Sequence, residues 1–121
     1  MTDVDRDELV AALAEGGTLI LDVRTAAEYD GSYGYPCDAQ QGHIPGARNL
    51  DVQVLLGLDH DGIRSLVGAP AGSSVIVYCH SGSRSGVAAH LLREAGYEAR
   101  NYVGSWHEWS NDPELPVEPA T

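Results

Sequence analysis

Apolar positions along this chain change spacing several times, and each change marks an element. Asp5-Arg6-Asp7-Glu8-Leu9-Val10-Ala11-Ala12-Leu13 has helical spacing behind a first turn of acids, and Gly16-Gly17 ends it, which predicts an opening helix. Thr18-Leu19-Ile20-Leu21-Asp22-Val23 is a short continuous apolar run, the pattern of a strand buried on both faces of a parallel sheet. Thr25 then caps a short helix through Glu28 and Tyr29. Residues 31–42 are rich in Gly, Tyr, Pro and Gln without period and read as loop. Ala47-Arg48-Asn49-Leu50 resumes as a short strand, and helical segments are predicted around Val52 to Leu56 and Ile63 to Val67. Ser74-Val75-Ile76-Val77-Tyr78 is the clearest strand, followed by a helix from Ser85 to Ala95 that Gly96 closes. A strand over 98–103 and a helical turn carrying Trp106 and Trp109 complete the pattern. Strands alternating with helices imply an α/β fold with a parallel sheet covered on both faces. The tail from about Asn111, with Pro113, Pro116 and Pro119, reads as extended and loose.

Length and charge narrow the function classes. The 121 residues fit one domain, 1–121, large enough to bury a core without a disulfide or a structural metal. Charged residues make up 21% of the chain, too many for a membrane protein, and no apolar run approaches spanning length. The start lacks the basic and apolar segments of a secretory signal, so a cytoplasmic location is expected. The net charge of -11, with Arg as the only basic residue other than His, argues against nucleic-acid and anionic-membrane partners. An anion site in such a chain must be built locally, from backbone amides and a few arginines. Cys37 and Cys79, in a chain without a signal, read as free thiols.

Cys79-His80-Ser81-Gly82-Ser83-Arg84 joins the end of the clearest strand to the following helix, where an open α/β sheet places its ligand crevice. A tight loop of small residues entering a helix turns successive N–H groups toward one point. A Cys79 thiolate held there by the amides of residues 80–85, with Ser85 opening the helix and Arg84 nearby, titrates below the free value of about 8.5. The same field suits a persulfide and a small oxyanion, hence covalent group transfer by Cys79. This reading requires the thiol to be reachable and the N–H groups to face it. Four residues separate Cys79 from Arg84, one fewer than in the phosphate cradles of Cys-dependent phosphatases and arsenate reductases, and no acid adjoins the loop to protonate a leaving group.

With these residues in view the chain resembles the rhodanese family over nearly its whole length. Leu21-Asp22-Val23-Arg24-Thr25-Ala26-Ala27-Glu28-Tyr29 is similar to the family's first signature, and Gly42-His43-Ile44-Pro45-Gly46-Ala47-Arg48-Asn49-Leu50 to its second. The Cys79 loop resembles its active site, and Gly104-Ser105-Trp106-His107-Glu108-Trp109 its closing signature. The long loop before Gly42 and the Pro-containing tail resemble the catalytic C-terminal half of tandem thiosulfate and 3-mercaptopyruvate sulfurtransferases. Glu28 and Asp30 stand where those enzymes often carry arginines, and Arg84 ends the loop where they usually have Thr. The resemblance implies a rhodanese fold with a five-stranded parallel sheet, and a sulfurtransferase that moves sulfane sulfur from thiosulfate or 3-mercaptopyruvate through a Cys79 persulfide. Cyanide, a small thiol or a thiol protein such as thioredoxin would accept it, in a monomer or weak homodimer without cofactor. The competing readings are a phosphatase or arsenate reductase on the same fold, and a noncatalytic module that senses persulfides or binds a partner, for which an intact Cys79 is unusual.

The remaining chemical residues are candidates for support. Asp22 suits a structural role at a strand end, Arg24 divides evenly between structure and substrate, and His43 before Ile44-Pro45-Gly46 suits a packed turn. His80 projects from the active loop toward the crevice or its rim, where it would tune donor binding. His60, in Asp59-His60-Asp61-Gly62, lacks the later ligands of a calcium loop and reads as an exposed turn, and the His and Cys residues show no zinc spacing, so no metal is expected. Trp106 and Trp109 suit core or rim packing, and Cys37 an incidental thiol, with a resolving thiol for Cys79 as the lesser reading.

Overall fold

The computed structural model describes residues 3–118. The elements run β1 (Asp3–Val4), α1 (Arg6–Glu15), β2 (Leu19–Asp22), α2 (Ala26–Asp30), β3 (Arg48–Asn49), α3 (Val52–Leu56), α4 (His60–Val67), β4 (Ser74–Tyr78), α5 (Ser83–Glu94), β5 (Glu98–Tyr102) and α6 (Ser105–Ser110). The five strands form one sheet in the order β1-β5-β4-β2-β3, and every pairing is parallel. Among the described residues no helix is long and apolar enough to cross a membrane.

Strand side chains alternate between two cores. Leu21, Val75, Val77 and Ala99 face one core, filled by Val52 and Leu55 of α3, Ile63 and Val67 of α4, and Ala88, Ala89 and Leu92 of α5. Ile20, Ile76, Tyr78 and Tyr102 face the other, with Leu9 and Ala12 of α1 and Trp106 and Trp109 of α6. Because both faces are covered, the central strands carry no polar alternation, which is why β2 and β4 appear in the sequence as unbroken apolar runs. Capping sets where the helices begin: Asp5 with Glu8, and Thr25 with Glu28, form reciprocal capping boxes for α1 and α2. Asp59 caps α4 through the Gly62 amide, so the expected turn around His60 is the start of a helix, with His60 as its first residue.

Two expectations are corrected. The sequence pattern marked four strands, and the fifth is β1, two residues with one apolar side chain, too short to show a period; it exists because Asp3 and Val4 pair with Asn101 and Tyr102 at the edge of β5. The tail is docked through residue 118 rather than loose. Leu115 and Val117 pack on the α1/α6 core, Trp109 Nε1 donates to Pro116 O at 2.7 Å, and Glu118 and His43 exchange main-chain hydrogen bonds at 2.9 Å. Proline restricts φ without forbidding apolar neighbours from packing, and Leu115 and Val117 flank Pro116. Pro119 lies outside the described residues.

Ile76, at the centre of β4 and fully buried, tests this layering. Ile76→Ala should destabilise the fold by roughly 2–5 kcal/mol, read from urea unfolding followed by tryptophan fluorescence.

Candidate active site

The loop from Cys79 to Gly82 leaves the carboxyl end of β4, between β5 and β2, and enters α5. Gly82 is the N-cap of α5, and no side chain caps it, so the first amides of the helix need another acceptor. Cys79 Sγ supplies one: Gly82 N–H donates to it at 3.1 Å, and the Ser85 hydroxyl lies 3.3 Å away. Burial pushes the Cys79 thiol up, but the Ser85 hydroxyl and the main chain of Ser85, Gly82 and Ser81 favour the thiolate more strongly, and its pKa falls below the ordinary value. The donors therefore face the sulfur. The expectation of a reachable thiol is corrected: Cys79 is only 1% exposed and packs with the core that holds Val77, Ala88 and Ala89, because the strand end that carries it is covered by α5.

The loop conformation depends on two residues. Gly82 has φ 99°, and a Cβ there would come within 2.8 Å of Val103 O, so glycine is required both by the dihedral and by the close approach. Ser105 is the described non-glycine residue with positive φ (55°), and it is fully buried. Its hydroxyl donates to Tyr102 O at 2.8 Å and accepts from Cys79 N–H at 3.1 Å, which fixes the main chain of the nucleophile to the start of α6. Trp106 N–H to Cys79 O (2.8 Å) and His107 N–H to His80 O (3.0 Å) extend the same seam. Ser105 was not singled out from the sequence; its signal was its place inside Gly104-Ser105-Trp106, beside tryptophans that drew the attention.

Arg84, expected in the anion-binding loop, is engaged by Glu28. Its guanidinium makes a two-point contact with Glu28, at 2.8 and 3.0 Å, and its electrostatic coupling to Glu28 exceeds that to Cys79. The Glu28 side chain is 4% exposed. Burial would raise its carboxyl, but hydrogen bonds from Arg84 and Thr25 outweigh burial and hold it at about 2. The physical reason is that a buried carboxylate, here standing where the related tandem enzymes often have arginine, takes the nearest cation first.

The supporting residues separate cleanly. Asp22 and Arg24 form a buried ion pair, with Nε and Nη2 of Arg24 on the carboxylate at 2.6–3.1 Å and Nη2 also on Gly42 O at 2.6 Å. The guanidinium carbon sits 4.9 Å from the Trp106 ring centre, so Arg24 joins β2, the loop before His43 and α6. His43 stacks on Tyr29 and its Nδ1 lies 2.8 Å from Tyr29 O, the packed turn that the sequence suggests. Trp106 and Trp109 are core residues. Ser81 and Ser83 are exposed at the rim. His80 is turned onto Asp38, with Tyr35 stacked 3.9 Å away, and Cys37 and Cys79 are both free thiols.

The rhodanese-like domain matches residues 5–112. A putative thiosulfate sulfurtransferase, SseB, of Mycobacterium tuberculosis is 37% identical over 110 residues, covering 84% of this chain and 38% of that protein. A putative thiosulfate sulfurtransferase of Haloferax volcanii is 38% identical over 128 residues, covering 93% and 44%. The chain thus spans less than half the length of these curated relatives. Among solved structures, a probable thiosulfate sulfurtransferase superposes with a TM-score of 0.83 at 40% identity, over 97% of this chain and 47% of that one. A human single-domain sulfurtransferase, TSTD1, gives 0.71 at 30% identity, over 94% and 99%.

The Glu28–Arg84 pair makes stability depend on acid. A carboxylate depressed in the folded state contributes fully above its unfolded value, near 4.5, and that contribution is lost as pH falls toward about 2. Between these limits the wild type should lose stability more steeply than Glu28→Gln, as measured by urea midpoints at each pH. Arg84→Ala, which leaves Glu28 with only its Thr25 hydrogen bonds, should lower stability by roughly 1–3 kcal/mol, read from the urea midpoint at neutral pH. The sulfur-centred ring of amides, the four signatures in order and the matched sheet lead to one conclusion: this chain belongs to the rhodanese-like domain family.

Proposed function

We propose that the chain is a sulfurtransferase in which Cys79 carries sulfane sulfur as a persulfide, and that one domain suffices for the reaction. The observation that carries this reading is the pair of donors, Gly82 N–H and the Ser85 hydroxyl, directed at Cys79 Sγ. In the first half-reaction the Cys79 thiolate attacks the outer sulfur of thiosulfate; the S–S bond of the donor breaks, its electron pair leaves on sulfite, and the enzyme keeps a terminal persulfide anion. In the second, cyanide or a thiolate attacks that outer sulfur, thiocyanate or an acceptor persulfide departs, and the Cys79 thiolate returns. The amides that hold the thiolate hold the longer persulfide by the same dipoles, so neither half-reaction requires a new counter-ion.

Relatives named thiosulfate sulfurtransferase support thiosulfate as donor, and one named as a probable 3-mercaptopyruvate sulfurtransferase supports the alternative donor. Thiol proteins such as thioredoxin belong to the acceptor class on chemical grounds. Because Cys79 is 1% exposed, transfer requires the loop around the sulfur to open to the donor.

Incubating the 121-residue protein alone with thiosulfate, then with 3-mercaptopyruvate, and recording intact mass tests the proposal. One added sulfur atom, removed by cyanide or dithiothreitol and absent from Cys79→Ser, is the expected result; no gain with either donor overturns it. Ser85→Ala should raise the Cys79 pKa, shifting the pH dependence of its alkylation by iodoacetamide upward while the fold persists. An unshifted profile would remove the hydroxyl from the site.

A further inference from the structure

Beside the Cys79 loop, four side chains that the sulfur-transfer reading does not use converge on one point. Cys37 Sγ, a carboxylate oxygen of Asp38 and one ring nitrogen each of His80 and His107 all lie within 4.8 Å of one another. We propose that these residues form a binding site for a zinc-like divalent transition-metal ion, independent of whether the chain transfers sulfur.

The first argument is the state of Asp38. Its side chain is 1% exposed, and no arginine pairs with it. His107 Nδ1 lies 2.8 Å from Oδ1, and His80 Nε2 lies 3.1 Å from both carboxylate oxygens, with its hydrogen bond directed at Oδ1, so buried Oδ2 has a ring nitrogen nearby but no hydrogen bond of its own. A buried carboxylate oxygen left in that condition is costly, and a cation bound on it removes the cost.

Geometry and ligand chemistry point to the class of ion. A tetrahedral zinc site with bonds of about 2.0–2.3 Å has ligand-to-ligand edges of about 3.3–3.7 Å. The two Cys37 separations, 3.8 Å to His107 Nδ1 and 3.9 Å to Asp38 Oδ1, lie just above those edges, while the 2.8 and 3.1 Å from Asp38 to the two imidazoles are hydrogen-bond lengths that must lengthen when an ion takes the place of the shared protons. One thiolate, two imidazoles and one carboxylate suit zinc and its neighbours rather than magnesium or calcium, which favour all-oxygen sets. On binding, the Cys37 S–H bond breaks and its proton leaves to solvent. The imidazoles bind as neutral tautomers with hydrogen on His80 Nδ1 and His107 Nε2.

The ligands are also held in place by other contacts. His107 N–H donates to His80 O at 3.0 Å, tying α6 to the loop. Asn111 donates to His107 O (2.6 Å) and Cys37 O (3.5 Å) and accepts from Ala39 N–H (3.1 Å), tying the segment around Cys37 and Asp38 to the end of α6. Tyr35 stacks on His80. Such supporting contacts orient metal ligands before the ion arrives. Cys37 and His107 open onto a surface concavity whose rim carries Glu108, Asp112 and Glu114 together with Arg6, which pairs with Asp112 at 2.6 Å, leaving the rim net acidic. His80 follows Cys79 directly, so a bound ion fixes the first residue of the active loop. Because the ligands come from a loop, the strand end and α6, their spacing along the chain carries no zinc signature, and no metal is expected from the residues alone.

The test uses the whole chain, stripped with a chelator and titrated with cobalt(II) as a spectroscopic stand-in for zinc, then with zinc by calorimetry. The expected result is one ion per chain, with visible absorption of tetrahedral cobalt and a thiolate-to-cobalt charge-transfer band. That band is lost in Cys37→Ser and retained in Cys79→Ser, and His107→Asn and Asp38→Asn each weaken zinc binding at least tenfold. Circular dichroism of each stripped variant separates loss of a ligand from loss of fold. Three results overturn the proposal: no cobalt spectrum and no zinc uptake, as for a purely hydrogen-bonded His–Asp–His cluster; a band that survives Cys37→Ser and disappears in Cys79→Ser; or zinc affinity unchanged in a folded His107→Asn protein.

Discussion

A sulfur atom can be kept ionised inside this protein only if the main chain supplies the positive end of several dipoles at close range, because the chain as a whole carries a net charge of -11. The amide of Gly82, the hydroxyl of Ser85 and the first turn of α5 do this for Cys79. In return the sulfur serves as the acceptor that an uncapped helix end lacks. Helix start and nucleophile are one local structure, and the burial that would otherwise protonate the thiol also removes the water that would compete for those donors.

The rest of the fold keeps that arrangement in register. Ser105 holds the Cys79 amide, Val103 O comes so near Gly82 that only hydrogen fits between them, and α6 hydrogen-bonds along the loop at Cys79 and His80. On the other side, Glu28 of α2 takes Arg84 at the first turn of α5, so the element after β2 is fastened to the element after β4. The buried Asp22–Arg24 pair connects β2 to the Gly42 loop and Trp106. Charge in this site is therefore spent mostly on holding loops together, and anion stabilisation falls to neutral dipoles that need no counter-ion of their own.

The loop around Cys37 and Asp38 lies against the opposite rim, reaching His80 and His107. The long, aperiodic stretch before Gly42 is thus not a passive connection. It carries a buried carboxylate to the first residue after the nucleophile, and any ligand held there would influence the loop through His80 without contacting Cys79.

Much of this was legible from the residues alone. Unbroken apolar runs at Leu19–Asp22 and Ser74–Tyr78, a Gly-Ser loop after the second of them, the acidic first turn of α1 and the Thr25 cap are local signals, and local signals survive without coordinates because backbone geometry and burial act over a few residues. They identified the fold, Cys79 and the direction of its donors. What needed the tertiary structure were pairings across long stretches of chain: β1 against β5, the docked tail, Arg84 choosing Glu28 over an anion, Ser105 beneath Cys79, and Asp38 between two histidines. A side chain takes the partner that packing brings within about 3 Å, and its sequence neighbours carry no record of which partner that will be.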